Sequence, residues 1–558
     1  MDGATTFPTA GARVAARLAA LSPWQRHLLA VIAGALSTLA MAPFHAFPIL
    51  MLTLPVLVLL IDDATAFRHA ATGAGLRRRA FLAGWMFTFG YHLVGLFWIG
   101  EAFLVEAEKF AALMPFAVTA MPAGLALFGG LATATAASFW RPGFGRIVAL
   151  ALTLSAAEWL RGHVLTGFPW NILGYALTYP GPALQTAGLV GIYGLTLLTP
   201  LLMCLPAFIV LEAGPDVPRK RVWGAAVVAA VGPQIVLMGI GMAVAWATPQ
   251  LPVTKSVRVR IVQPSIIQRD KWRPEHQSRI FQAHLDLSQR TAKGEKDDAR
   301  SVDLIVWPEA AMPFLPLRSP AALAAIGRML PQGSVLATGA LRMEGGPAPG
   351  TRRVFNSLLL LGAGGRLLAA YDKIHLVPFG EYLPFQTTLE SIGLEQLVQM
   401  RGGFASGPAP RPLIALAGLP AFAPLICYEA IFPASLVQGR ERPAVLLNVT
   451  NDGWFGNTTG PRQHLHQARV RAAEEGLPLI RAANNGISAI IDANGRIVAS
   501  LGMDAVGTVD GTVPPPRRPT PYAMLGDSLF FASWLVLFMF FATHARRARQ
   551  RETPARIG

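Results

Sequence analysis

The sequence is poor in the residues that mark soluble and secreted proteins. Only two of its 558 residues are cysteine, and only 14% are charged. Two cysteines cannot build a disulfide framework, which excludes the small disulfide-rich scaffolds. The low charge, combined with 53% hydrophobic residues and a mean hydropathy of +0.42, excludes an ordinary soluble globular protein. We therefore expect a membrane protein.

Long apolar runs dominate both ends of the chain. Eight of them could cross a hydrocarbon core of roughly 30 Å, at 28–44, 46–61, 80–100, 112–138, 147–162, 184–210, 222–247 and 522–543. Only a short stretch bounded by Pro43 and Pro48 separates the first two, so one kinked element is the alternative for that pair. An A-x-A-like site near 39–43 also permits a cleaved signal peptide, but the spans that follow favour an uncleaved anchor.

The net charge of +16 is concentrated beside these runs. Residues 255–513 hold 27 basic and 21 acidic residues, a net of +6, which leaves +10 for the rest of the chain. Such a distribution is typical of membrane topology signals and argues against a nucleic-acid partner. Arginine clusters follow alternate runs at 77–79, 141–146 and 219–221, and another lies at 546–551. The positive-inside rule places these clusters in the cytoplasm and residues 255–513 outside.

These patterns predict the organisation of the chain. We expect a cytoplasmic segment at 1–27, a membrane domain with about seven transmembrane helices at 28–250, an external domain at 255–513, a last transmembrane helix at 522–543 and a basic cytoplasmic tail at 544–558. The external region alternates short β-branched runs, such as "SVRVRIVQ" and "AVLLNVT", with helical stretches at 274–292 and 462–475. This alternation predicts a single α/β domain.

Three strand-like runs of the external region each deliver one reactive side chain. "DLIVWPEAA" ends with Glu309, "AAYDKIHLVPFGEYLPF" carries Lys373, and "PLICYEAIF" carries Cys427. Sites in open α/β sheets form at the ends of strands. Taken alone, a cysteine after an apolar run more often packs in a core, and Cys204 inside "LLTPLLMCLPAFIVL" is interpreted in that way. The combination of three groups favours a site around Cys427.

The chemistry of these three groups points to acyl transfer. A cysteine at its ordinary pKa of roughly 8.5 is mostly thiol at neutral pH, and a nearby ammonium together with a base makes it a competent nucleophile. Glu309 would accept the thiol proton and later return protons. Lys373 and the backbone N–H of Tyr428 would face the oxyanion of a tetrahedral intermediate. We expect a reaction that passes through a thioester on Cys427.

Four motifs resemble those of the nitrilase superfamily: "WPEAA", "DKIHLVPFGEYLPF", "ICYEAIFP" and "NVTNDGWFG". With the apolar runs around them, residues 25–543 resemble the apolipoprotein N-acyltransferases, the membrane-embedded family of that superfamily. The resemblance implies a polytopic helical membrane domain and a four-layer α-β-β-α domain that carries the Glu309, Lys373 and Cys427 triad. It also implies a periplasmic site at the inner membrane.

The same resemblance implies the substrates. Members of that family transfer an acyl chain from a phospholipid, typically phosphatidylethanolamine, to the α-amino group of the diacylglyceryl-cysteine of a lipoprotein. They use no metal and no diffusible cofactor. We expect this chain to act as a monomer.

Supporting positions follow from the resemblance as well. Glu381 would position or tune Lys373, and Tyr428 and Glu429 would shape the wall behind the thiolate. Trp272 and Trp454 resemble aromatic positions that line the family's active-site region. The alternative for both tryptophans is an ordinary core or interfacial role.

Two further clusters have competing interpretations. Arg161 and Glu158 lie near the end of an apolar run, where charges can mark a substrate path, but their i, i+3 spacing equally predicts a pair. His464 and His466 have no companion ligands at a convincing spacing, so a metal site is not expected.

Two other functions remain open at this stage. A membrane-tethered amidase of the nitrilase type would use the same triad with water as the acceptor. A non-catalytic scaffold or transporter would be expected to have lost a member of the triad, and none is missing. Seven spans before the catalytic region favour the acyltransferase, because a hydrolase of soluble amides needs only one anchor.

Overall fold

The computed structural model describes residues 9–66, 73–141, 143–253, 255–294, 302–345, 352–391, 396, 403–437 and 441–552, with the backbone alone for 545–552. The basic cluster at 546–551 therefore lies outside the described side chains. The α-helices are α1 Ala10–Ala19, α2 Pro23–Ser37, α3 Leu50–Ala66, α4 Gly73–Gly95, α5 Ile99–Leu104, α6 Ala107–Phe110, α7 Met114–Ser138, α8 Gly145–His163, α9 Ala187–Leu211, α10 Arg219–Ala247, α11 Gln277–Ser288, α12 Pro320–Met329, α13 Gln386–Ser391, α14 Gly460–Glu475, α15 Pro521–Leu525 and α16 Ser528–Glu552. The strands are β1 Arg258–Gln263, β2 Leu304–Trp307, β3 Val335–Glu344, β4 Arg353–Leu361, β5 Leu367–Asp372, β6 Phe422–Ile426, β7 Val445–Thr450, β8 Leu479–Ala483, β9 Ser488–Ile491, β10 Ile497–Leu501 and β11 Gly507–Thr512.

The chain forms two compact units. The helical unit comprises Met1–Phe97, Phe116–Val244 and Met524–Gly558, and the sheet unit comprises Trp98–Pro115 and Ala245–Ala523. The sheet unit is thus discontinuous, because the segment Trp98–Pro115 follows α4 in the sequence and ends with the first two residues of α7.

Each of the eight apolar runs contains a helix. Among the described residues, four helical stretches are long and apolar enough to cross a membrane, and Ser528–His544 is a shorter apolar helix. The four stretches are Phe47–Thr65, Ala107–Ser138, Pro182–Leu211 and Arg219–Ala247. These helices support the predicted membrane domain.

The first two apolar runs form two helices rather than one kinked element. α2 ends at Ser37, and α3 begins at Leu50. Two short 3-10 turns lie between them, Thr38–Ala40 and Phe47–Ile49. Pro48 lies within the second turn, where a missing backbone N–H does not interrupt an α-helix.

The sheet unit is built on two mixed sheets. One has the strand order β11-β1-β2-β3-β4-β5, and the other has the order β10-β9-β8-β7-β6. β1, β2 and β3 run parallel, as do β6, β7 and β8. The carboxyl ends of these parallel strands are where a site is expected.

Alternating side chains of the strands place each sheet between two apolar layers. Along β2, Leu304 and Val306 join a core that contains Leu447 of the other sheet, whereas Ile305 and Trp307 join a core with α11 and α12. The second sheet packs its other face on α14. The order of layers is therefore helix, sheet, sheet, helix, and the predicted α-β-β-α sandwich is confirmed.

Candidate active site

Cys427 lies at a sharp turn directly after β6. Its backbone φ is 50°, in the left-handed region that residues with a side chain seldom adopt, and a 3-10 turn runs from Cys427 to Ile431. The side chain is 7% exposed. β6 is the last strand of the five-stranded sheet and pairs in parallel with β7, so Cys427 lies at the carboxyl end of this strand pair.

Glu429 holds this turn from behind. Its Oε2 accepts a hydrogen bond of 2.8 Å from the backbone N–H of Ile426, and its Oε1 accepts one of 2.6 Å from the hydroxyl of Tyr371. Arg411 pairs with the same carboxylate at 3.0 Å. Burial would raise the pKa of Glu429, but Arg411 and the hydrogen bonds outweigh it and lower the pKa below its ordinary value of 4.5. Glu429 is thus an ionised anchor of the turn.

Glu309 follows β2 and is held at both oxygens. Asn356 Nδ2 donates to Oε1 at 2.7 Å, and the backbone N–H of Asn451 donates to Oε2 at 2.8 Å. A Cβ added to Gly339 of β3 would come within 2.4 Å of the Glu309 Cα, so glycine is needed for this close approach. The orientation of the carboxylate is therefore fixed at both oxygens.

Lys373 directly follows β5 and is buried between two carboxylates. Its Nζ lies 2.9 Å from Glu381 Oε2 and 3.7 Å from Glu309 Oε1. Asn356 Nδ2 also donates to Glu381 at 2.9 Å and so ties the two carboxylates together. Burial would lower the pKa of Lys373, but Glu381 and Glu309 outweigh it and raise the pKa above its ordinary value. Lys373 is a permanent cation.

The thiol of Cys427 is neutral in this resting arrangement. Burial raises its pKa, Glu309 raises it further, and Lys373 only partly opposes them. An attack by this sulphur therefore requires a nearby group that accepts the thiol proton, and the Glu309 carboxylate is the candidate. Lys373 faces the site as a cation able to stabilise negative charge on sulphur or on an oxyanion.

A second polar network supports the backbone of Cys427. His464 Nε2 lies 3.2 Å from the carbonyl oxygen of Cys427, and its Nδ1 lies 2.9 Å from Asp452. Arg481 donates to the other oxygen of Asp452 at 2.8 Å. Burial would raise the pKa of Asp452, but Arg481 and His464 lower it below its usual range. These residues form a buried ionic support below the turn.

The segment Trp98–Pro115 contacts this region within the sheet unit. Trp98 Nε1 donates to Gln463 of α14 at 3.2 Å, and the Trp98 ring lies 4.5 Å from the Phe455 ring, edge to face. Phe455 ends the short turn that begins at Asp452. The segment thus packs against the loop that carries the support of Cys427.

The structure brings together Glu309, Lys373, Glu381, Glu429 and Cys427. Tyr428 is buried and packs edge to face on Phe432, with the ring centroids 5.0 Å apart.

The other predicted positions are placed differently. Trp272 is 40% exposed, and Trp454 is half-buried in the turn from Asp452 to Phe455. Arg161 belongs to the helical unit, where it pairs with Glu158 at 2.6 Å and donates to a backbone carbonyl of Trp170 at 3.0 Å. This is the pairing that the i, i+3 spacing allowed.

Sequence reasoning missed Asn356, Lys271 and the His464 network. Lys271 is buried and donates to the backbone carbonyl of Glu309 at 3.1 Å. Its signal was its place beside Trp272 in "QRDKWRPEH". His464 was considered only as a metal ligand, and Asn356 lies inside β4 with no motif to distinguish it.

Two family models match the chain. The carbon-nitrogen hydrolase model matches residues 258–519, and the model of the apolipoprotein N-acyltransferase N-terminal domain matches residues 33–205. The four-layer sandwich, with a cysteine and charged side chains at its strand ends, thus places the sheet unit in the class of carbon-nitrogen hydrolases.

The relatives are similar over nearly the whole chain. The apolipoprotein N-acyltransferase of Rhodopseudomonas palustris is 45% identical over 517 residues, covering 92% of this chain and 94% of that protein. Those of Bradyrhizobium diazoefficiens and Rhizobium meliloti are 45% and 42% identical, covering 90% and 96% of this chain and 92% and 98% of those proteins. The chain belongs to the apolipoprotein N-acyltransferase family, and the resemblance noted from its motifs is confirmed.

Proposed function

We propose that this membrane protein transfers a fatty acyl chain from a phospholipid to the amino-terminal amine of diacylglyceryl-cysteine in lipoproteins, through a thioester on Cys427. Membership of the family supports the N-acyltransferase activity and its lipid and lipoprotein substrates. The observation that carries the proposed mechanism is the burial of Lys373 between Glu309 and Glu381 beside the thiol. One chain supplies all of these groups, which supports action as a monomer.

The first half-reaction loads the enzyme. The sulphur of Cys427 adds to the ester carbonyl of the phospholipid, and its proton passes to Glu309. Lys373 and the backbone N–H of Tyr428 face the oxyanion. When the intermediate collapses, the carbon–oxygen bond to glycerol breaks, and Glu309 returns the proton to the leaving oxygen. The products are a thioester and a lysophospholipid.

The second half-reaction discharges the thioester. The neutral α-amine adds to the thioester carbonyl and loses a proton to Glu309 as the carbon–nitrogen bond forms. The carbon–sulphur bond then breaks, and the departing sulphur recovers the proton from Glu309. The products are an amide and the free thiol, so the site returns to its starting protonation.

We also propose that the sheet unit lies on the periplasmic side of the inner membrane. α10 begins with the basic residues 219–221 and ends at Ala247, and the second segment of the sheet unit begins at Ala245, within the last turn of this helix. The positive-inside rule keeps the basic end in the cytoplasm and so supports an external start of the sheet unit. A reporter enzyme fused after residue 250 should act as external, and one fused at residue 550 as cytoplasmic. A cytoplasmic signal from the first fusion would overturn this assignment.

The two half-reactions can be tested separately. The full-length protein is incubated with labelled phosphatidylethanolamine, the proposed donor because the family that the motifs resemble typically uses it. The mass of the peptide that contains Cys427 is then measured by mass spectrometry. The expected result is one acyl chain on Cys427, and none after Cys427→Ala. A diacylglyceryl peptide should then receive that chain on nitrogen.

The outcomes separate the alternatives. An amidase of the nitrilase type would release free fatty acid at the same rate with or without the peptide. A scaffold or transporter would show no loading at all. Acyl transfer by the Cys427→Ala protein would overturn the thioester mechanism.

A further inference from the structure

Lys271 is a second lysine of the site, and the mechanism above does not use it. It directly follows the short 3-10 turn Gln268–Asp270 and is 1% exposed. Its Nζ donates to the backbone carbonyl oxygen of Glu309 at 3.1 Å. Lys271 and the charged form of Cys427 attract each other, since Cys427 raises the pKa of Lys271. Few lysines are buried so completely without a specific role.

Lys271 differs from the other buried cations near Cys427 in how it is paired with carboxylates. Three other cations pair closely with one carboxylate each: Lys373 with Glu381 at 2.9 Å, Arg411 with Glu429 at 3.0 Å and Arg481 with Asp452 at 2.8 Å. Among the residues that the structure describes, Lys271 has no carboxylate within 4 Å. The carboxylate of Glu309 lacks such a close cation, because its nearest distance to Lys373 is 3.7 Å.

Lys271 therefore completes the charge balance of the reacting groups. With a neutral thiol, Glu309 and Glu381 carry two negative charges, and Lys373 and Lys271 carry two positive charges. When the thiol proton moves to Glu309, the negative charge moves to sulphur or to the oxyanion, and the total stays zero. Without Lys271 the buried site would hold one excess negative charge at every step, which a poorly solvated interior disfavours.

The surroundings of Lys271 keep it protonated near neutral pH. Burial lowers the pKa of Lys271 to about 8, although Glu309 and Cys427 raise it. His284 also faces Lys271, and burial together with Lys271 lowers the pKa of this imidazole to about 4, against a hydrogen bond to Ile280 that raises it. His284 is thus neutral and does not repel the ammonium.

We infer that Lys271 is a positioning residue of the acyl-transfer reaction, one that holds the backbone of Glu309 and supplies the positive charge that makes Cys427 reactive. The inference rests on the proposed function for its chemistry. The inference itself concerns only the reactivity of the Cys427 thiol. That reactivity can be measured without any lipid.

The test measures alkylation of Cys427 by iodoacetamide in the full-length protein in detergent. Cys204→Ala serves as the background, so that a single thiol is left. The rate is followed from about pH 6 to pH 10 by the mass of the peptide that contains Cys427. The other groups whose charges act on the thiol, namely Glu309, Lys373 and Asp452, stay unchanged in every variant.

Three substitutions of Lys271 separate charge from contact. Loss of a nearby positive charge shifts a thiol pKa upward by about one unit or more, so Lys271→Met should slow alkylation about tenfold or more at neutral pH. This difference from the parent should shrink above about pH 8, where Lys271 itself loses its charge. Lys271→Gln keeps a donor for the Glu309 carbonyl but no charge, and should be slowed as much. Lys271→Arg keeps the charge and should restore most of the rate.

A matched control and the contrary results complete the test. Lys255→Met removes an exposed lysine of the same unit that pairs with Asp303, and should leave the profile unchanged. A rate and profile equal to the parent in both Lys271→Met and Lys271→Gln would overturn the inference. A Lys271→Gln protein as fast as Lys271→Arg would also overturn it, since contact alone would then suffice. A thermal melt shows whether Lys271→Met is folded. If it is not, the comparison of alkylation rates between Lys271→Gln and Lys271→Arg tests the inference. The Lys271 variants could change the alkylation rate as expected although phospholipid never loads Cys427. That result would contradict the proposed function and leave the inference about Lys271 standing.

Discussion

The backbone N–H of Asn451 donates a hydrogen bond of 2.8 Å to Glu309 Oε2. Asn451 directly follows β7 of the five-stranded sheet, whereas Glu309 follows β2 of the six-stranded sheet. The carboxylate of Glu309 is therefore oriented by both halves of the sandwich, since Asn356 of β4 donates to its other oxygen.

Glu381→Gln should impair loading of Cys427. The substitution removes the carboxylate 2.9 Å from Lys373 and leaves the ammonium free to move toward Glu309, so that the base is neutralised and the cation displaced. We expect a loss of about tenfold to a hundredfold in the rate of acyl-enzyme formation, in the range of other removed electrostatic contacts. The matched control is Glu344→Gln, an exposed carboxylate paired with Arg342. Equal effects of the two changes would count against a role for Glu381.

Glu429→Ala should destabilise the fold. It leaves Arg411 buried without its partner and frees the backbone N–H of Ile426, and loss of one partner from a buried ion pair typically costs about 3 to 5 kcal/mol. Chemical unfolding in detergent measures the free energy of unfolding.

The pH dependence of that effect has a definite sign. Because the folded pKa of Glu429 is lowered, its contribution is fully present above the ordinary value of 4.5 and is lost as the pH falls through the lowered folded value. The gap between Glu429→Ala and the parent should therefore be constant from neutral pH down to about pH 5 and narrow in stronger acid. A gap that widens in acid would contradict the assignment of Glu429 as an ionised anchor.

Gly339→Ala should damage the site without touching a reactive group. The new methyl would press on the backbone of Glu309, because the nearest backbone atom would lie only 2.4 Å from the added Cβ, so the base must shift. We expect the loading rate to fall by about a hundredfold, as small misplacements of catalytic groups can cause. Gly502→Ala is the control, because no atom lies within 4 Å of its Cβ position. If both variants load at the parent rate, the close approach at Gly339 has no functional meaning.

Cys204→Ala should leave acyl transfer close to the parent rate. Cys204 is buried within α9, an apolar helix of the helical unit, whereas the carboxylates and lysines around Cys427 belong to the sheet unit. The measurement is the rate of N-acylation of a diacylglyceryl peptide, with a thermal melt as the check on folding. A large loss of acyl transfer in a folded variant would contradict the prediction and show that Cys204 has a role in the reaction.

The parts of the fold that sequence could predict are those with strong local patterns. Runs such as "VDLIVWPE" and "AVLLNVT" are strands because their apolar side chains fill cores on both faces of a sheet. β8 was not predicted, since "LIRAA" contains Arg481, and only the fold reveals that Asp452 neutralises this buried cation. β10 and β11 were missed as well, because their exposed positions weaken the apolar pattern.

The site was predictable where residue chemistry is distinctive and unpredictable where geometry decides. Glu309, Lys373 and Cys427 stand out because each follows an apolar strand. Asn356 does not, because an amide inside β4 is not distinctive, and Lys271 is marked only by its place beside Trp272, which does not indicate a contact with Glu309. Contacts between residues far apart in sequence come from the pairing of strands and sheets, which single-sequence patterns do not specify.

The segment Trp98–Pro115 has a consequence for how this enzyme could be taken apart or rebuilt. A fragment that begins at Ala245 would contain both sheets and every charged group of the site, yet Phe455 and Gln463 would have lost the indole of Trp98. In the gene, the coding sequence for the sheet unit is interrupted by that of membrane helices. A soluble hydrolase domain therefore cannot be exchanged for it by a single junction, and a working graft would have to carry the distant eighteen-residue insert as well.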